Sequence, residues 1–116
     1  MGTLTEEIFS RKLGRPVRAG DIVWCGVDYV MSHDTMTTLA IQAFRQLKDK
    51  VFDPERIAIL FDHIVPPASI DQAIAQKEAL AFVKEQGIRH FYQEGVCHQV
   101  IVEKGLALPG SIIIGS

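Results

Sequence analysis

Ile57-Ala58-Ile59-Leu60-Phe61, followed at once by Asp62-His63, is the stretch on which the fold turns. An uninterrupted apolar run this short, bounded by Asp53-Pro54 before it and Pro66-Pro67 after it, reads as a strand covered on both faces. Such a strand sits inside a parallel sheet. Upstream, Leu39, Ala40, Ala43, Phe44 and Leu47 recur on one side of a helix of period 3.6, with Thr and Asp cap candidates ahead of them. Further back, Gly20-Asp21 turns the chain into an extended region over 22–30. Thr3-x-x-Glu6 is a capping-box spacing for a short first helix carrying Ile8, Phe9 and Leu13, which Gly14 and Pro16 stop.

Downstream the alternation continues. Ser69-x-x-Gln72 opens a helix bearing Ile70, Ala73, Ile74, Lys77, Leu80 and Ala81, and Gly87 stands where a helix ends in a left-handed residue. A strand over 88–92, a brief helix over 99–104 closed by Gly105 and a buried-type strand over 111–114 complete the series. Strands alternating with helices at this spacing predict an α/β domain, a parallel sheet with flanking helices, over the whole of residues 1–116. The last strand runs into Gly115-Ser116 with no helix to cover it, so the expectation is the first portion of a larger protein.

Composition excludes several function classes. A chain of 116 residues with 47% hydrophobic content can build a core without disulfide staples, which argues against disorder. Two cysteines without a CxxC spacing make no disulfide framework, and buried thiols in a reducing cytoplasm are the expectation for Cys25 and Cys97. The spaced Arg11, Lys12, Arg15 and Arg18 read as a solvated helix end, and a net charge of −2 gives no footprint for nucleic acid. No apolar leader and no run long enough for a membrane span is present, which predicts a cytoplasmic protein.

In an open parallel sheet, ligands bind beyond the carboxyl ends of the strands. Ser32-His33-Asp34, Asp62-His63, Cys97-His98 and Gly115-Ser116 all follow predicted strands, so three of the four histidines share that rim while His90 opens a strand instead. Histidine titrates near neutrality, and a neighbouring carboxylate fixes its tautomer, which suits proton transfer to or from a substrate hydroxyl. Adjacent residues of an extended chain point apart, so Asp62 supports His63 only if the backbone turns there. Direct metal ligation by His33, Asp34, His63 and His98 is the competing reading, but no HxH or HExxH spacing backs it. Cys97-His98 as nucleophile and base is disfavoured against a structural thiol. Phosphate-loop and dinucleotide glycine patterns are absent.

Thr3 to Ile8, Val27-Asp28-Tyr29-Val30-Met31-Ser32-His33-Asp34, Phe61-Asp62-His63, Gly95-Val96-Cys97-His98-Gln99-Val100 and Leu108-Pro109-Gly110-Ser111 resemble, in order and spacing, the amino-terminal part of the aconitase superfamily. The branch they most resemble is that of 3-isopropylmalate dehydratase large subunits, with homoaconitate and 2,3-dimethylmalate dehydratases similar across this stretch. The resemblance implies a hydro-lyase that removes water from a hydroxy-di- or tricarboxylic acid and adds it back, here in leucine biosynthesis. It implies a 4Fe-4S cluster in the intact enzyme, whose ligand cysteines lie beyond this chain. It also implies a separate small subunit that brings the serine base and the arginines gripping the substrate carboxylates. Carried over by motif, His63 resembles the acid that assists departure of the hydroxyl, Asp62 the residue orienting it, His98 a histidine paired with a carboxylate just downstream, and His33 a substrate-side position. Cys25 and Cys97 match no ligand motif, so no metal ligand is assigned in this chain, and the chain is expected to be inactive alone. Readings from other classes are a small His/Asp metal-dependent hydrolase and a non-catalytic binding module.

Overall fold

A computed structural model describes residues 2–115 of the chain. Four parallel strands, β1 (Tyr29–His33), β2 (Ile57–Leu60), β3 (His90–Tyr92) and β4 (Ile113–Gly115), form one sheet in the order β3-β2-β1-β4. The helices are α1 (Leu4–Leu13), α2 (Asp34–Arg45), α3 (Ile70–Gln86) and α4 (Cys97–Glu103), with a 3-10 turn over Pro54–Arg56. The α/β architecture expected from the sequence is the one observed.

Strand β2 explains why the layers hold. Its residues point alternately to the two faces, and each face has its own core. Ala58 and Leu60 pack with Met31, Cys97, Val100, Ile101 and Leu106 on the α4 side. On the other side Ile59 and Phe61 pack with Ile41, Ala79, Phe82, Val83 and Ile88, from α2, α3 and the approach to β3. Edge-to-face ring pairs Phe61–Phe91 and Phe44–Phe82, with centroids 5.0 and 5.7 Å apart, tie these elements together. The register pairs Met31 with Ala58 and His33 with Leu60, so β1 and β2 end level. At the other edge of β1, Asp28 accepts the Ile112 amide at 2.7 Å and donates its own to the Ile112 carbonyl at 2.8 Å, which leads β4 into place. Gly115 completes that approach, because a Cβ there would run into the backbone and side chain of Met31.

Several boundaries differ from expectation. The extended region 22–30 contributes only its last two residues to the sheet, while Ile22 and Trp24 stand 97% and 96% exposed. Apolar residues after the Gly20-Asp21 turn supply the strand signal there, but no neighbour offers a ladder. Helix α2 begins at Asp34 and buries Asp34, Thr37 and Ile41 while leaving Leu39 exposed; Leu47, expected on the same helix, lies past its end at Arg45 and is exposed too. The face that meets the sheet therefore includes polar side chains with local partners. Thr37 donates to the His33 carbonyl at 2.8 Å and bonds Ser32 Oγ at 2.9 Å. Helix α3 likewise buries Ala79, Phe82 and Val83 and exposes Ile70 and Ile74. Cys97 is buried as expected, but Cys25 is only half-buried, and both thiols are free.

The amino-terminal helix is self-contained. Thr3 and Glu6 form the reciprocal capping box, Gly14 ends the helix at φ 64°, and none of its residues is buried. Glu6 also accepts the Ala19 amide at 2.9 Å, and Lys12 meets Asp28 at 2.5 Å, so the segment after α1 folds back along it. This arm lengthens the molecule. Its radius of gyration is 16.2 Å, against about 13 Å for a compact chain of this length. The described residues contain no helix long and apolar enough to cross a membrane.

Leu60, 1% exposed at the centre of one core, should be the costly position: Leu60→Ala is expected to lower stability by about 2–5 kcal/mol in urea unfolding. Thr3→Ala should cost about 1 kcal/mol, seen as faster amide exchange confined to α1. Equal effects at the two sites would contradict the separation of arm and core.

Candidate active site

The carboxyl ends of β1 and β2 lie side by side, and each opens into a segment that carries an Asp and a His. After β1 the chain enters α2 directly, with His33 as its N-cap and Asp34 as its first residue. After β2 it turns through Asp62, His63 and Ile64 before reaching α3. Asp34 is the clasp between the two: its Oδ1 accepts the His63 amide at 3.3 Å and the Thr35 amide at 3.1 Å, and its Oδ2 accepts the Ile64 amide at 2.9 Å. Its side chain is 0% exposed. Gln76 of α3 holds the same turn from the other side, donating to the Ile64 carbonyl at 2.6 Å.

That turn resolves the geometric question raised by Asp62-His63. With the backbone bent, His63 Nδ1 donates to Asp62 Oδ1 at 2.6 Å. Asp62 Oδ2 accepts the Cys97 amide at 2.7 Å, at the first residue of α4. Asp62 is 6% exposed in its side chain, whereas His63 is 48% exposed, so the imidazole leans out of the rim with its Nε2 edge unengaged by any described residue. Burial pushes the Asp62 carboxyl up, but the hydrogen bonds from Cys97 and His63 outweigh it and hold the group below its ordinary value of 3.8.

His33 stacks on His63 with ring centroids 4.1 Å apart and planes inclined by 19°. A 2.7 Å hydrogen bond joins its Nδ1 to Thr35 Oγ1. Burial lowers the His33 value below 6.5, and the nearby His63 adds to this against the opposing pull of Asp62 and Asp34; His98 also lowers it. His98 therefore belongs to the same electrostatic neighbourhood, one residue into α4, where its Nδ1 lies 3.2 Å from Cys97 Sγ. Among the described residues it has no carboxylate partner; the nearest downstream one, Glu103, accepts from Gln99 instead. His90 stands at the opposite, amino end of β3 and bonds Tyr92 at 3.1 Å. Ser116, expected at the rim, lies outside the described residues.

The cluster His33, Asp34, Asp62 and His63 offers ligand-type atoms within 4.8 Å of one another. The donor set nevertheless serves hydrogen bonding better than coordination. Both Asp34 oxygens hold backbone amides, both Asp62 oxygens are engaged, and stacked imidazoles direct their in-plane lone pairs side by side rather than at one point. Cys97 is no nucleophile: burial, with Asp62 beside it, pushes its thiol up to about 11.

The sequence points to His33, Asp62, His63 and His98 as site residues, and to Asp34 only as a helix-cap candidate or a metal ligand. An acidic residue in the first turn of a helix is the available signal for its place, but the backbone amides it holds lie about thirty positions away and leave no local mark.

The family model of the aconitase family (aconitate hydratase) matches residues 6–116. The chain belongs to the aconitase family. It is 45% identical, over 98% of its length, to a probable 3-isopropylmalate dehydratase large subunit of Methanothermobacter thermautotrophicus, of which it covers 28%. It is also 45% identical to a homoaconitase large subunit of Thermus thermophilus, over 98% of this chain and 28% of that one. A methanogen homoaconitase large subunit of Methanocaldococcus jannaschii is 44% identical, over 97% of this chain and 27% of its own. The aconitase-family segment thus spans under a third of the length of these relatives.

The shifts at His33 and Asp62 make stability fall with acid. A lowered native value means that the unfolded chain takes up the proton first, so each contribution is complete above the ordinary value and is lost as pH falls through the native one. Urea midpoints are expected to be flat between pH 6.5 and about 8 and to decline below pH 6.5, with His33→Gln removing the first part of the decline. A midpoint that rises toward pH 5 would contradict these assignments.

Proposed function

We propose that the chain is part of the large subunit of a two-subunit aconitase-type hydro-lyase and supplies the acid side of its reaction. The Asp62–His63 pair carries this reading: a 2.6 Å bond leaves Nδ1 donating to a buried carboxylate and Nε2 free at the rim. His63 holds the transferable proton at Nε2 and delivers it to the departing hydroxyl, which leaves as water. Asp62 fixes the tautomer and orients the ring. A base on the small subunit takes the proton from the adjacent carbon. In the hydration direction the same atoms run in reverse.

His33, buried and kept from protonation, offers a neutral imidazole to the substrate beside His63. His98, second in α4, is close enough to act electrostatically on His33. A 4Fe-4S cluster takes thiolate ligands, and this chain's own cysteines do not fit one: Cys97 is buried with its thiol pushed up to about 11, and Cys25 is a lone half-buried thiol in the segment after α1. The cluster of the intact enzyme is accordingly assigned to residues elsewhere, and the chain alone is expected to show no turnover. The substrate is a hydroxy-di- or tricarboxylic acid. We favour 3-isopropylmalate, in leucine biosynthesis in the cytoplasm, because several similar proteins carry that name. Relatives named homoaconitase at 44–45% identity support the homologous tricarboxylic acid as the second reading.

In the intact, reconstituted enzyme, His63→Ala is expected to reduce kcat by about 10²–10⁴-fold with KM changed only a few-fold. A near-normal kcat would remove His63 from the acid role. Comparing kcat/KM for 3-isopropylmalate and homoaconitate separates the two substrate readings.

A further inference from the structure

We propose that Asp34 is the positioning residue for His63: from the first turn of α2 its carboxylate holds the bent backbone of the next strand's exit and stands as a fixed anion beside the stacked imidazoles. The proposal rests on the reading of His63 as the acid, and it assigns a role to a carboxylate whose side chain is wholly buried.

Three features support it. The first is the number of bonds: three backbone amides, Thr35, His63 and Ile64, converge on one side chain that no described solvent-facing group shares. A burial this complete requires compensation, and two of the three amides that supply it belong to the turn. The second is placement. Asp34 Oδ1 lies 3.8 Å from His63 Nδ1 and 3.9 Å from His33 Nδ1, too long for a hydrogen bond and close enough for a strong field. The third is sequence order. His63 and Asp62 are neighbours, and only a bend between β2 and α3 lets their side chains meet; Asp34 is the side chain that bonds both amides after Asp62.

Around His63, the His33 ring stacks on it, and Asp34 and Asp62 stand 3.8 and 2.6 Å from its Nδ1, while Gln76 of α3 holds the neighbouring Ile64 carbonyl. Removing Asp34 therefore withdraws two things at once: an anion near the ring and two anchors of its backbone. Asn and Ala separate these. Both lack the charge, but Asn keeps one acceptor for an amide and Ala keeps none.

The test is a pair of variants in the intact two-subunit enzyme, with activity expressed per folded, cluster-loaded site. Asp34→Asn is expected to lower kcat about tenfold and Asp34→Ala about a hundredfold, with KM within threefold of the parent in both. The pH limb of kcat that reports the acid should move to lower pH by about 1 unit, and by the same amount in both variants. In parallel, ¹³C-histidine NMR, with the His63 resonance identified by its loss in His63→Ala, should show the same downward displacement of the His63 titration. That second readout stands whether or not the enzyme is a hydro-lyase: full activity in His63→Ala sinks the functional reading, whereas an unmoved His63 titration in Asp34→Asn sinks this inference. Variants that lose only thermal stability, with kcat per folded site and pH profile unchanged, would also overturn it, since that is the signature of a purely structural carboxylate.

Discussion

A carboxylate taken out of water must be met by donors, and in this chain the donors are the backbone amides of the site itself. Asp34 and Asp62 are both nearly inaccessible, and each is met by the amide of a residue that opens a neighbouring segment. Asp34 ties the exit of β2 to the start of α2. Asp62 ties that same exit to the start of α4. The sheet brings the strand ends level, and these two side chains convert a set of parallel ends into a shaped rim. The helix starts favour the anions, because unsatisfied amides at a helix amino end carry partial positive charge.

The chemistry follows from an asymmetry between two stacked rings. His33 is buried, bonded through Nδ1 to Thr35 and held from protonation by burial. His63 lies over it at 4.1 Å but leans into solvent and faces Asp62. On the reading proposed for this site, one ring recognises the substrate and the other donates the proton, a division of labour that removal of a hydroxyl from a hydroxy acid calls for.

Much of this was legible in the sequence, and the parts that were not have physical reasons. Ile57 to Phe61 announced a doubly covered strand, and Thr3 and Glu6 a capping box, because those signals are local. The gathering of His33, His63 and His98 followed from topology once strands and helices alternated. The buried faces of α2 and α3 did not follow from apolar periodicity. Thr37 goes inside because Ser32 and the His33 carbonyl satisfy it, while Leu39, Leu47, Ile70 and Ile74 stay outside. Residues 22–28 are rich in strand-forming apolar side chains but have no partner strand, and pairing is a tertiary fact. Asp34 was visible as a residue but not as a clasp, since its partners lie about thirty positions away.

The most direct measurement is a crystal structure of the intact enzyme with a hydroxy-acid substrate analogue bound. The account predicts His63 Nε2 within about 2.6–3.2 Å of the analogue's hydroxyl, with Asp62 still on Nδ1 and Asp34 still on the His63 and Ile64 amides. An analogue whose hydroxyl is met by another residue, with His63 turned away from it, would contradict the account.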